Sequence, residues 1–256
     1  MKKHLVEVES ALKAINPVAK PSIWKAENYV GGGRSDLIYL DLKIPDVRRT
    51  FKKGFSFFNP QHKIFKKENL ETFHYIWTHS LHFEALVICL AYVKSLPFEV
   101  RKRNRSLLLG WLSKVDNWAV SDELSGIYAE FLEDDVELLA IYKKWNRSKN
   151  SWERRQSIVG LLFYSRFRKS KFLSWPQLRQ FVDPLLGDED YYVQKGVGWA
   201  LRESYNWYPK EVFNYISENV LAIAPAAWTA CTEKMSLREK ALLKTRRRQR
   251  VKKNFK

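Results

Sequence analysis

The chain has 256 residues, 45% of them hydrophobic, with only ten Gly and nine Pro, a composition that excludes a largely disordered chain and suits one or two compact, mostly helical domains. Its 45 Lys and Arg against 28 Asp and Glu leave a formal charge of +17 at pH 7, which favours a polyanionic partner such as DNA, RNA or an acidic membrane surface. Cys89 and Cys231 are too few and too isolated for a disulfide framework or a metal-ligand spacing.

The first residues, Met1 to Glu9, carry charges where a secretory leader needs an apolar stretch. No run approaches the about 18 apolar residues of a membrane span. A soluble, cytoplasmic protein with no membrane partner is therefore expected.

Residues 31–44 alternate Ile38, Leu40, Leu42 and Ile44 with Tyr39, Asp41 and Lys43 after the flexible Gly31 to Gly33. That is a strand pattern. It predicts either a small β-hairpin near 25–44, with 25–30 as its other arm, or an extended loop that seals the first helix pair.

From about residue 68 onward apolar residues recur at helical spacing between short polar or Pro/Gly joints. Phe83, Leu86, Val87, Leu90, Ala91 and Val93 form one such segment ahead of Pro97. Others run near 99–113, 120–131, 135–145, 151–167, 175–186, 190–204, 209–222 and 236–250. Roughly nine helices joined by short loops predict an all-α fold, either an α-solenoid of HEAT-like helical pairs with a concave basic face or a closed bundle. Residues 1–235 form the repeat domain in this reading, and 236–256 a last helix running into a basic tail.

His74, His79 and His82 are spaced so that they do not all share one helical face, and no Cys or carboxylate completes a set. No metal and no cofactor are expected, and phosphate-binding and dinucleotide fingerprints are absent.

Three segments can carry chemistry. In Val115 to Asp122, Trp118 and Asp122 lie four apart, so on a helix an indole plane and a carboxylate share one face; Asp122 as a cap and Trp118 as core is the plainer alternative. In Asn150 to Arg155, Trp152 and Arg155 follow Ser151, which suits a helix cap, and an Arg fork fits phosphate oxygens. Arg154 and Arg155 as a solvated face is the other reading. In Tyr191 to Glu203, Gly196 and Gly198 interrupt a helical stretch at about 1 kcal/mol each relative to Ala. This predicts close approach by another backbone or a ligand, and Lys195 stands one turn before Trp199. Finally, from Ser236 to Lys256 ten Lys or Arg face only Glu239, so Arg246, Arg247 and Arg248 read as a DNA anchor or a nuclear address.

Taken in order, Val-Asp-Asn-Trp118-(x3)-Asp122, Trp-Asn-Arg-Ser-Lys-Asn-Ser-Trp152-Glu-Arg-Arg155 and Val-Gln-Lys-Gly-Val-Gly-Trp199-Ala-Leu-Arg202-Glu203 resemble the AlkD-like DNA alkylation repair family of HEAT-like DNA glycosylases. Met235 to Lys244 is similar to that family's last helix, and the resemblance covers about 70–250. It implies hydrolysis of the N-glycosidic bond of positively charged N3- and N7-alkylpurines in duplex DNA by a monomer. Asp122 would be the catalytic carboxylate, Trp118 and Trp199 the aromatic contacts at the lesion, and Arg155 the backbone or active-site arginine. Arg154, Lys195, Arg202, Arg246, Arg247 and Arg248 would be DNA-binding. The sequence departs from the family at Ala119, where many members have Asp, and Tyr29 stands for a tyrosine of the family's first helices. Some relatives bind branched DNA without excision, reportedly with an added hairpin, which the pattern at 37–44 would match.

Overall fold

The computed structural model describes residues 1–15, 25–62, 64–162 and 173–254. Among these it is all-α, with fifteen α-helices: α1 (Lys2–Lys13), α2 (Ala26–Val30), α3 (Ile44–Lys53), α4 (Lys67–His79), α5 (Phe83–Ser95), α6 (Phe98–Arg103), α7 (Arg105–Leu109), α8 (Trp118–Asp134), α9 (Leu139–Asn146), α10 (Ser151–Leu162), α11 (Trp175–Val182), α12 (Tyr191–Tyr205), α13 (Pro209–Glu218), α14 (Pro225–Cys231) and α15 (Leu237–Asn254). The sequence pattern merged several of these. The stretch 99–113 is two short helices and a 3₁₀ turn, and 135–145 is a 3₁₀ turn followed by α9. The expected segment 151–167 is helical to Leu162, and its remainder lies outside the described residues.

The chain forms two compact units, Met1–Leu124 and Ser125–Lys256. The core of the first is aromatic: Phe73 stacks on Tyr92 at 4.0 Å, Phe58 meets both edge-on, and Trp77 lies parallel to Trp111 at 4.3 Å. Such pairs contribute about 0.5–1.5 kcal/mol each beyond their area burial. The second unit is built around α10 and α12, whose Ile158, Val193, Val197 and Leu201 are fully buried. Apolar positions three and four apart put these side chains on one face of each helix.

The hairpin expected at 25–44 does not form. Residues 26–30 are helix α2, and Gly32 and Gly33, at φ 61° and 69°, turn the chain out of it rather than tip a strand pair. Residues 37–42 are an extended strap with one parallel bridge, Ile38 to His82. The Ile38 N–H donates to the Leu81 carbonyl at 2.7 Å, and the Phe83 N–H returns to the Ile38 carbonyl at 3.0 Å. Beyond that bridge the partner is a side chain: the Leu40 and Leu42 N–H groups donate to the Glu84 carboxylate at 3.0 and 3.4 Å. Asp41 adopts φ 54°, which breaks the alternation, so Leu37 and Leu42 are buried while Ile38 is 49% exposed. A lone carboxylate satisfies the backbone where a second strand was expected.

Candidate functional site

In the first unit α8 begins at Asn117, which is fully buried. Its side-chain oxygen accepts from the Val120 N–H at 3.0 Å, the geometry of an N-cap. Asn117, not Asp122, therefore caps the helix. Trp118 becomes its first residue, and Asp122 follows one turn later, half-buried. Neighbouring Asp116 ties the preceding loop to this start, accepting from the Ser35 hydroxyl and the Asp36 N–H, both at 2.8 Å. Ser35 in turn accepts from the Tyr39 hydroxyl at 2.9 Å, whose pKa burial pushes up to about 12.

The Trp118 indole is placed by α2. Its N–H donates to the Tyr29 carbonyl at 2.9 Å, and the two rings meet edge to face at 5.5 Å. Tyr29, which the resemblance singled out among the first helices, thus stands beside Trp118 and is 59% exposed as a residue. Glu123, next to Asp122, pairs with Lys94 and, at 3.5 Å, with Arg48. The Lys94 and Arg48 contacts were not legible in the sequence because they come from α5 and α3, 29 and 75 positions away.

In the second unit Asn150 caps α10, its side chain accepting from the Trp152 N–H at 2.9 Å, one residue ahead of the expected Ser151. Arg155 on α10 is 6% exposed and donates to the Tyr192 carbonyl at 2.9 Å. Trp152 stacks on the Tyr192 ring at 5.0 Å, and Tyr191, half exposed, meets the latter edge-on. Both glycines of α12 serve packing. A Cβ at Gly198 would lie 2.5 Å from the Ala227 carbonyl oxygen, so the backbones of α12 and α14 are in contact there. A Cβ at Gly196 would meet Ile158 and Arg155 side-chain atoms at 3.2 to 3.4 Å, so this glycine makes room for Arg155. Lys195 is exposed and Trp199 half-buried.

The structure gives several expected DNA contacts another use. Arg154 holds Asp188 with two bonds of 2.7 and 3.1 Å and also donates to the carbonyls of Ser148 and Lys149, so its fork is closed inside the fold. The Asp188 carboxylate raises the Arg154 pKa further. Arg202 sits 6.0 Å from the Trp199 ring centroid but is held by Glu203 at 3.3 Å and Glu233 at 2.7 Å. On α15, Arg246 donates to the Ser217 hydroxyl, and the Arg247 guanidinium stacks over Trp228 at 4.4 Å. Arg248 is exposed.

The histidines are dispersed into structural roles. His74 accepts from the Trp111 indole N–H at 2.9 Å, and His82 pairs with Glu9 at 3.1 Å. Among the described residues no group of three or more His, Cys, Asp or Glu is placed to hold a metal ion. Burial pushes the Cys89 thiol up and the Cys231 thiol to about 12, so neither is a nucleophile near neutral pH. No helix among the described residues is long and apolar enough to cross a membrane.

The described residues thus define an all-α basic protein that carries a half-buried carboxylate one turn after a pinned indole. The family model for DNA alkylation repair enzymes matches residues 14–235, and the chain belongs to that family, with DNA as its partner and alkylation repair as its role. Two solved structures share the fold. A predicted DNA alkylation repair enzyme from Enterococcus faecalis is 15% identical with a TM-score of 0.58, over 79% of this chain and 90% of that one. AlkD2 from Streptococcus mutans is 16% identical with a TM-score of 0.59, over 92% and 99%. No curated protein matches.

Proposed function

We propose that the protein is a DNA glycosylase that hydrolyses the N-glycosidic bond of positively charged N3- and N7-alkylpurines in duplex DNA. The observation that carries this reading is the start of α8, where Asn117 fixes the helix so that Asp122 follows the pinned Trp118 by one turn. An alkylated purine already bears the charge that makes it a good leaving group, so no general acid is required. What remains is to stabilise an oxocarbenium-like sugar and to orient water, and one carboxylate at Asp122 serves both. The indole face of Trp118 would attract the cationic nucleotide by about 0.5–2 kcal/mol. Arg155, buried and fixed by the Tyr192 carbonyl, would act on the DNA through its field and not by direct contact.

Mass spectrometry of bases released from alkylated duplex DNA tests the assignment. Asp122→Asn should keep DNA affinity and lose release of methylated purine; undiminished release would refute the role of Asp122. A second reading, a structure-specific binder of branched DNA without excision, is favoured by Ala119, which removes a helper carboxylate next to Trp118. The hairpin that also pointed to it is absent from the described residues. Tighter binding of forks and junctions than of linear duplex, with no base released by the unaltered protein, would select it.

A further inference from the structure

Helix α15 carries nine Lys or Arg against the single Glu239, and it begins after the residues that the family model matches. Its first turn is fixed by a capping box. The Ser236 hydroxyl accepts from the Glu239 N–H at 3.2 Å, and the Glu239 carboxylate accepts from the Ser236 N–H at 2.9 Å and the Tyr205 hydroxyl at 2.8 Å. Leu243 is fully buried on the inner face. Three arginines continue that attachment: Arg246 to the Ser217 hydroxyl, Arg250 to the Glu218 carbonyl, and Arg247 over the Trp228 ring. The segment is thus a docked helix and not a loose basic tail.

At 100° per residue, Lys244 and Arg248 fall about 40° apart on the face turned away from Leu243. Both are exposed, and neither makes an ion pair or hydrogen bond among the described residues. Residues four apart on a helix stand about 5–6 Å from each other, so two unneutralised cations are held in one outward row by the braces beneath them. A polyanion complements such a row.

We propose that the outer face of α15, through Lys244 and Arg248, is a phosphate-binding surface for the duplex DNA backbone, and that Arg246, Arg247 and Arg250 are braces that hold it rather than contacts. This rests on the reading of the chain as a duplex-DNA repair enzyme. The row reads phosphate charge alone, so it contributes affinity that is indifferent to sequence and to the lesion.

Arg247 and Arg248, neighbours about 100° apart around the helix, give the test. On unmodified linear duplex, the slope of log affinity against log salt is measured for the wild-type protein, Arg248→Gln, Lys244→Gln with Arg248→Gln, and Arg247→Gln, together with each thermal midpoint. Each lost phosphate contact flattens the slope by about 0.9. Arg248→Gln should therefore flatten it by about 0.9 and the double variant by about 1.8, both with an unchanged midpoint. Arg247→Gln should lower the midpoint and leave the slope in place. Equal slope changes from Arg247→Gln and Arg248→Gln, or an unchanged slope in the double variant, would overturn the proposal while leaving the enzyme assignment standing. A wild-type protein without salt-dependent duplex affinity would instead overturn the assignment on which it rests.

Discussion

The indole N–H of Trp118 reaches across 89 positions of sequence to the main-chain carbonyl of Tyr29, at 2.9 Å. The orientation of the Trp118 ring is therefore set by a backbone atom of α2. Trp118→Phe retains an aromatic face but removes the donor. Such a bond contributes about 0.5–1.5 kcal/mol, so urea unfolding should show a loss of about 1 kcal/mol, with slower base release as the ring is freed. Identical unfolding curves for variant and wild type would show that the bond does not hold the ring.

Gly198 and Gly196 are two residues apart on α12 but face different neighbours. At Gly198 a methyl group meets the Ala227 oxygen at 2.5 Å and the Ala227 Cα at 2.8 Å, which are backbone and unable to swing aside. Gly198→Ala should cost about 1–3 kcal/mol through overpacking. At Gly196 the obstacles are the ends of Ile158 and Arg155, at 3.2 to 3.4 Å, and the gain in helix propensity of up to about 1 kcal/mol opposes the strain. Thermal denaturation should place Gly198→Ala well below Gly196→Ala. The reverse order would contradict the packing described for α12 and α14.

Arg154 and Arg155 are chemically identical neighbours with separate tasks. Arg154 closes on Asp188, whose side chain is only 9% exposed. Its removal strands that carboxylate and loses charge-assisted bonds of about 1.5–3 kcal/mol. Arg154→Ala is expected to lower the unfolding free energy by that amount without changing the salt dependence of DNA binding. A flatter salt slope with unaltered stability would return Arg154 to the DNA-contact role suggested by the sequence.

The all-α fold, α8, α10 and α12 were legible because their apolar residues repeat at helical spacing. The close backbone approach expected at the two glycines was legible for Gly198, which meets Ala227, whereas Gly196 meets only the side chains of Ile158 and Arg155. The helix starts were less so: Asn117 and Asn150 cap where Asp122 and Ser151 were also chemically suitable, and only the backbone path selects among such residues. At 37–42 the sequence left a hairpin and an extended loop both open, because alternation records which side chains face inward, whereas the acceptor for its N–H groups, Glu84, lies more than forty positions on. Basic residues were the hardest to sort. Arg247 and Arg248 look alike in sequence, and only Trp228 beneath the first separates brace from free cation. Nothing in the sequence announces that Asp116 binds Ser35 and Asp36, since the three contribute no shared pattern.

Glu84 gives the fold a definite pH response. Burial raises its pKa above the ordinary 4.5 despite the N–H groups of Leu40 and Leu42, which favour the charged form. The folded state thus holds the Glu84 proton more tightly than the unfolded chain does. Stability from this group is complete below about pH 4.5 and falls as pH rises through the folded value. Glu84→Gln removes the titration, so the melting temperature of the variant minus that of the wild type should become more positive between pH 4 and pH 7. A constant difference across that range would mean that the carboxyl is not desolvated.

Because the side chain of Asn117 fixes where α8 starts, the angular phase of every later residue on that helix is counted from Asn117 and not from the N-terminal helices. Lengthening or shortening the glycine turn at 31–33 changes how much chain must be accommodated before Ser35, yet it does not rotate Asp122. The length of that turn is thereby uncoupled from the heading of the acidic group.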